Sequence, residues 1–238
     1  MRFFIPHLLI VLCVTSVADA QNSSEREPRA ARGRLAWIVY TSMPEGVANP
    51  VTVMTGRDIL EVALSKRSPS EPVRIPQDGI LKIVRESDQP AGSGQTPYLT
   101  LAQAYVPEGV NRALIILMPA SQPRGDLIFN AKVQDLAKFK GGDWMFLNLT
   151  NVQVGVDMGQ TSMVMKPGQI QIYDASASAG AELMPIRYRY FHPVQEEWKM
   201  LSASTIGIVP TRREICIFSI DPRFQRIEYH GITFPVSN

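Results

Sequence analysis

GGDWMFLNLTNVQVGVDMGQTSMVMKPGQIQIY, Gly141 to Tyr173, is the stretch that decides how this chain folds. At Val152, Val154, Val156 and Met158 every second side chain is apolar, and Gln153, Gly155 and Asp157 fall between them. A period of two rather than 3.6 marks a strand with one face on a core and the other toward water. Met163 and Met165 alternate in the same way, as do Ile170 and Ile172. The run 144–149 is apolar on both faces, as a central strand is. Thr150-Asn151 and Gly159-Gln160 fall where tight turns belong. Pro167-Gly168 fits a type II turn, since proline presets the first φ and glycine accepts the positive second one. The stretch is expected to be an antiparallel meander of four strands, and folding explains each of its features without a ligand.

The same period extends outward in both directions. Apolar runs at 35–41, 51–55, 59–65, 79–85, 98–106, 112–118 and 126–133 precede the stretch, and runs at 182–191, 197–209, 213–220 and 224–232 follow it. Pro, Gly, Asn and Asp separate them. The best helical candidate, 132–139, is short, uncapped and broken by Gly141-Gly142. Many short strands with frequent turn signals predict an all-β, antiparallel β-sandwich of Ig-like or jelly-roll-like kind. Pro, Ser and Gly cluster in MPASQPRGD (118–126), so two packed modules are expected, 35–122 and 123–238, with one large sandwich over 35–238 as the alternative. No close internal repeat is visible.

The N-terminus reads as a secretory signal sequence. Arg2 precedes an apolar run from Phe3 to Val17, and Ala18-Asp19-Ala20 offers a small-x-small cleavage site. The run is short of the ~20 residues that span a bilayer. Cleavage after Ala20 leaves 23 basic and 21 acidic side chains, too even a balance to imply nucleic-acid or membrane binding by net charge. Residues 21–34, QNSSEREPRAARGR, read as a flexible linker. Cys216 is then the single cysteine, so no intramolecular disulfide forms and stability must come from apolar burial. The expected destination is periplasmic or extracellular, with no membrane span after cleavage.

GGDWMFLNLTNVQVGVDMG, followed by MKPGQ, resembles a recurring element of an uncharacterised family of exported bacterial β-sandwich proteins. In these a glycine pair leads into a Phe-x-Asn-Leu-Ser/Thr strand, and a Leu/Met-Lys-Pro-Gly turn follows. YVPEGVNRALIILMP upstream is similar to the element that often precedes it, and PTRREICIFSIDP carries a weaker likeness. The resemblance spans about residues 105–173. It implies export and a sandwich, suggests that the two halves are one recurring unit, and implies no activity. The chain departs from the pattern in its methionines, Met145, Met158, Met163 and Met165, which read as core filling or as a soft adaptable surface.

Catalytic chemistry finds little footing. No G-x-S-x-G elbow exposes a serine, and His192 and His230 both read as exposed turn residues. Cys216 lies in a run apolar on both faces, so it reads as a small buried hydrophobe rather than a nucleophile or a ligand. Adjacent Glu196 and Glu197 point to opposite faces of a strand and cannot flank one glycosidic bond. Asp157, Asp174 and Asp221 form no D-x-D-x-D-G run for calcium. PAGSGQTP (90–97) lacks the Lys and helix of a phosphate-binding loop. Asn22 and Asn148 begin glycosylation sequons, the second inside an expected strand. No cofactor is expected.

One binding face stands out. Arg187 and Arg189 share a strand face, Tyr188 and Tyr190 take the other, and Arg212 and Arg213 follow nearby in sequence. A cationic, aromatic-edged surface suits an acidic glycan or a protein partner; its bland reading is a solvated face balanced by Glu196, Glu197, Glu214 and Glu228. The expectation is a non-enzymatic interaction or structural protein, accessory to an envelope or polysaccharide-handling assembly. The alternatives are a carbohydrate-active enzyme or carbohydrate-binding protein, and a metal-handling protein built on Cys216, a histidine and methionines.

Overall fold

The structure is a computed structural model that describes residues 33–87, 98–175, 182–221 and 224–236. The first half of the chain forms β1 (Leu35–Tyr40), β2 (Val51–Thr55), β3 (Asp58–Val62), β4 (Val73–Arg74), β5 (Ile80–Glu86), β6 (Tyr98–Tyr105), β7 (Arg112–Arg124) and β8 (Leu127–Asp135). A single 3₁₀ turn, Leu136–Lys138, follows, its start capped by the Asp135 side chain, which accepts from the Ala137 N–H. The second half forms β9 (Trp144–Asn148), β10 (Val154–Met158), β11 (Thr161–Met165), β12 (Ile170–Tyr173), β13 (Glu182–His192), β14 (Glu197–Ile208), β15 (Arg212–Asp221) and β16 (Arg226–Pro235). The fold is all-β, in two packed modules, as the period-two runs predict. The expected signal sequence 1–20, residues 21–32 and the 90–97 loop lie outside the described residues.

The two halves repeat one topology. The first makes sheets ordered β4-β1-β7-β8 and β3-β2-β5-β6; the second makes β12-β9-β15-β16 and β11-β10-β13-β14. Each strand of the first half therefore has its counterpart eight strands later. In both modules the opening strand runs parallel to the seventh, Leu35 beside Arg112 and Trp144 beside Glu214, while the other pairings are antiparallel. Both second-to-third hairpins turn on two residues, Gly56-Arg57 and Gly159-Gln160, and in each only the glycine has positive φ, +64° and +59°. That is the II′ pattern, whose twist matches the strands it joins. The sequences of the two halves show no close repeat because the sandwich asks only for alternation and turn glycines at these points, not for particular side chains.

Three apolar layers hold the modules. Ala36, Ile38 and Tyr40 of β1 join Ala113, Ile115 and Leu117 of β7 in the core of the first module. Phe146, Val154, Val156, Met158, Met165 and Phe218 fill the second. The alternate residues of the same strands form a third layer between the modules: Val39, Leu114 and Ile116 on one side, Met145, Leu147, Ile215, Ile217, Ile232 and Phe234 on the other. The sheets carrying β1 and β9 are thus buried on both faces, which is why LAWIVY, ALIIL and WMFL read as continuous apolar runs. Met145, Met158 and Met165 are fully buried and Met163 is half-buried against the second core, so these four are core filling rather than an adaptable surface.

Several expectations need correction. The 141–173 stretch is not one meander. β9 and β12 pair with each other in one sheet, whereas β10 and β11 pair in the opposite sheet. Asn148 makes the crossing. Its carboxamide oxygen accepts from the Thr150 N–H and hydroxyl at 3.0 and 2.7 Å, and its Nδ2 donates to the carbonyls of Val152 and Met165 at 2.8 and 3.0 Å. Its backbone closes on the Pro-Gly turn, Gly168 N–H to Asn148 O at 2.7 Å. These bonds bend the chain out of one sheet and into the next, where sequence alone shows only turn residues. Gly155 and Asp157, expected on a wet face, are buried as well: Trp198 lies with its ring 3.2 Å from where a Gly155 Cβ would sit, and Arg187, Arg189 and Ser162 engage Asp157.

The expected module boundary at 122/123 falls inside the β7–β8 hairpin, which pairs Met118 with Asn130 and Arg124 with Leu127. The register breaks between Pro119, which pairs with Phe129, and Arg124, so the prolines mark an irregularity within a hairpin rather than a linker. The sheets divide instead at 136–143. Arg34, expected in the linker, is fastened to the first module: its guanidinium donates to the carbonyls of Val106, Pro107 and Val110 at 3.1, 2.6 and 3.0 Å.

The glycine pair before β9 has separate jobs. Gly142 adopts φ +91°, and Gly141 is pressed so close to the backbone that a Cβ there would land on the Pro210 carbonyl. Gly141→Ala is expected to lower stability by about 3 kcal/mol, since backbone cannot yield as a side chain does. Gly207→Ala, whose Cβ would meet Val209 at 3.9 Å, is expected to stay within about 1 kcal/mol of wild type. Urea unfolding midpoints of the two variants check this.

Candidate functional site

The layer between the modules changes character along its length. On β15 one face reads Ile215, Ile217, Ser219; on β16 it reads Phe234, Ile232, His230, Glu228; on β1 it reads Trp37, Val39, with Thr41 just past the strand's end. The apolar ends of these stripes meet and exclude water. The polar ends do not, and there the modules part to leave a cleft of about 1140 Å³.

Residues of both modules line it. The β3–β4 connection brings Lys66 and Arg67. That connection is tied down by Ser70, whose hydroxyl accepts from the Ile38 N–H at 2.9 Å and whose own N–H donates to the Ile38 carbonyl. Asn49 brackets Leu64 with a further pair of side-chain bonds, both 2.9 Å. β8 turns Phe129 into the first core and therefore turns Asn130 and Lys132 toward the cleft. The opposite wall is β16 from Glu228 to Thr233, with Ser219 and Leu149 beside it. Lys132 Nζ bridges the modules by donating to the Gly168 carbonyl at 3.0 Å.

The charge of the cleft is uneven. Lys66, Arg67 and Lys132 face one carboxylate among the described lining residues, Glu228, and no ion pair within 4.0 Å engages any of the three among the described residues. His230 corrects an expectation. It lies within β16, paired opposite Ile217, rather than in a turn, because Gly231 continues the strand beside Cys216. Its Nε2 is buried with no hydrogen-bond partner. Burial pushes the ring below its ordinary pKa; nearby Lys66 adds to the shift and Glu228 opposes it. His192 does sit at a turn, where its Nδ1 accepts from the Gln195 N–H at 3.3 Å.

The expected arginine face is not assembled as one surface. Arg187 and Arg189 lie together on the outer side of β13, but both are held by Asp157, at 3.5 and 2.8 Å. Arg189 also lies over the Trp198 ring, 5.4 Å from its centroid. Arg212 and Arg213 belong to the other sheet and, as strand neighbours, point opposite ways. Arg212 pairs with Glu214 at 2.8 Å, and Arg213 lies over Phe234 and Phe139 beside the inter-module layer. Alternation separates Tyr188 from the arginines, and the structure buries it in the second core, but sequence does not reveal that a buried aspartate neutralises its neighbours.

Cys216 and His230 look in opposite directions, Cys216 into the second core and His230 toward the cleft, so they share no metal. Among the described residues no three His, Cys, Asp or Glu side chains gather as metal ligands. The buried carboxylates are dispersed in structural roles: Asp143 accepts from the Lys140 and Ala175 N–H groups, Asp157 holds arginines, and Glu214 accepts from Thr233. Asn148 of the second sequon is fully buried and its carboxamide fully engaged. No described helix is long and apolar enough to cross a membrane. No protein-family model matches the chain, and no curated protein matches it.

Two measurements follow from these environments. Burial pushes the Cys216 thiol up to about 12, so native protein at pH 8 is expected to leave a thiol reagent unreacted until denaturant is added. His230 has a native pKa below its unfolded value of about 6.5. Between the two values the unfolded chain binds more protons, so stability is expected to fall as pH drops below that unfolded value. His230→Gln is expected to flatten that fall, read as the difference between wild-type and variant unfolding midpoints across the range.

Proposed function

We propose that this chain is a non-enzymatic, exported interaction protein, an accessory of an envelope or polysaccharide-handling assembly, and that it engages its partner through the cleft between the two modules. The observation that carries this reading is the cleft's construction. Two sandwiches share an apolar layer that fixes their relation, and at one end of that layer the same strands present polar and cationic groups from both modules. A site framed by rigid strands on both walls is preorganised, so little ordering is needed on binding. Its lining includes one carboxylate and one half-buried histidine among the described residues, an inventory suited to recognition rather than to bond cleavage. The resemblance of the 141–173 element to exported bacterial proteins supports the destination.

Residues 21–238, immobilised and exposed to envelope extract of the source organism, are expected to retain a defined component. Lys132→Glu, which reverses a charge at the cleft while leaving both cores untouched, is expected to lose it. Equal retention by both proteins would place the interaction elsewhere. Turnover of an extract component that ceases in His230→Gln would show an enzyme.

A further inference from the structure

We propose that the inter-module cleft is a binding site for an acidic oligosaccharide, whose carboxylates are held by Lys66, Arg67 and Lys132 and whose hydroxyls meet Thr41, Ser219 and Asn130. The proposal rests on the reading of the chain as an interaction protein and names what the cleft takes.

Charge comes first. Three cations line the cleft without an ion-pair partner among the described residues, and they come from two elements of one wall, the β3–β4 connection and β8. Arg187, Arg189 and Arg212, on the second module, each have a carboxylate within 4.0 Å. Unneutralised cations beside a concave surface raise the local concentration of anions, and a carboxylate that reaches them gains charge-assisted hydrogen bonds. His230 faces the same space with its unpartnered Nε2, so one more polar group there lacks a protein partner.

The rest of the lining selects the kind of anion. Thr41, Ser42, Ser121, Ser219 and Asn130 offer hydroxyl and amide groups that both donate and accept, the complement of a sugar's hydroxyls. The volume, about 1140 Å³, exceeds that of a monosaccharide site and suits an oligomer open at its ends. An acidic peptide would use the same cations but has no need of the hydroxyl and amide lining.

The test is isothermal titration of the protein lacking residues 1–20 with three probes: a set of uronic-acid tetrasaccharides (oligogalacturonate, oligoguluronate and oligomannuronate), neutral maltotetraose, and a tetraglutamate peptide. At least one uronate is expected to bind with a Kd of about 1 mM or tighter, and the neutral sugar and the peptide at least tenfold more weakly. Lys66→Ala/Arg67→Ala is expected to weaken that binding about tenfold or more and to reduce its salt dependence. Arg57→Ala/Arg74→Ala, which removes two exposed cations away from the cleft, is expected to leave it unchanged. Unchanged thermal midpoints in these surface variants exclude misfolding as the cause. No uronate binding, equal binding of the neutral sugar, equal binding of the peptide, or an equal loss in the control double variant would each overturn the proposal. Cleft-dependent retention of an envelope component together with failure of every uronate would overturn the ligand class alone and leave the interaction reading standing.

Discussion

The architecture depends on the apolar layer between the modules. A sandwich normally buries one face of each sheet and leaves the other to water. Here the sheets carrying β1 and β9 are buried on both faces, since Val39, Leu114 and Ile116 meet Leu147, Ile215 and Ile217 across the seam. Each such side chain removed from water contributes about 1.5–3 kcal/mol. Cys216 is a free thiol, so among the described residues no disulfide holds the modules, and that layer makes two small sandwiches one stable body. It also determines where the cleft lies, because the modules separate where Thr41, Ser219 and His230 replace the apolar residues of the same stripes.

Within the second module, Asn148 has a comparable role on a smaller scale. A buried amide is costly unless its donors and acceptor are satisfied. Its carboxamide is satisfied by Thr150, Val152 and Met165, and its backbone by the Pro-Gly turn. The Phe-x-Asn-Leu-Thr and Lys-Pro-Gly elements, separate in sequence, are therefore two ends of one hydrogen-bonded crossing between sheets. A conspicuous motif here serves folding, and the groups best suited to recognition occupy unremarkable positions in β8, β16 and the β3–β4 connection.

Charge shows the same division between pattern and placement. IRYRYF announces its arginines through alternation, yet Asp157 lies beneath both of them, one strand away and thirty residues earlier, with its own side chain almost covered. Lys66, Arg67 and Lys132 form no motif, and they converge because a loop pinned by Ser70 and a strand turned by Phe129 end on the same wall. His230 reads as a turn residue because glycine follows it, whereas the ladder with Ile217 holds it in mid-strand.

Sequence by itself determined the all-β class, nearly every strand, the tight turn at Gly159-Gln160, the Pro-Gly turn, and the burial of Cys216. These follow from side-chain alternation and backbone φ preference, which act over a few residues and are written locally. β4 escaped notice because two residues carry no period. Tertiary structure alone decided the crossing at Asn148, the division of the modules at 136–143, the repetition of one topology in both halves, the pairing of arginines with Asp157, and the cleft. Each of these depends on which strands become neighbours. That choice is made by the fit of whole faces against one another, and side chains far apart along the chain share in it equally.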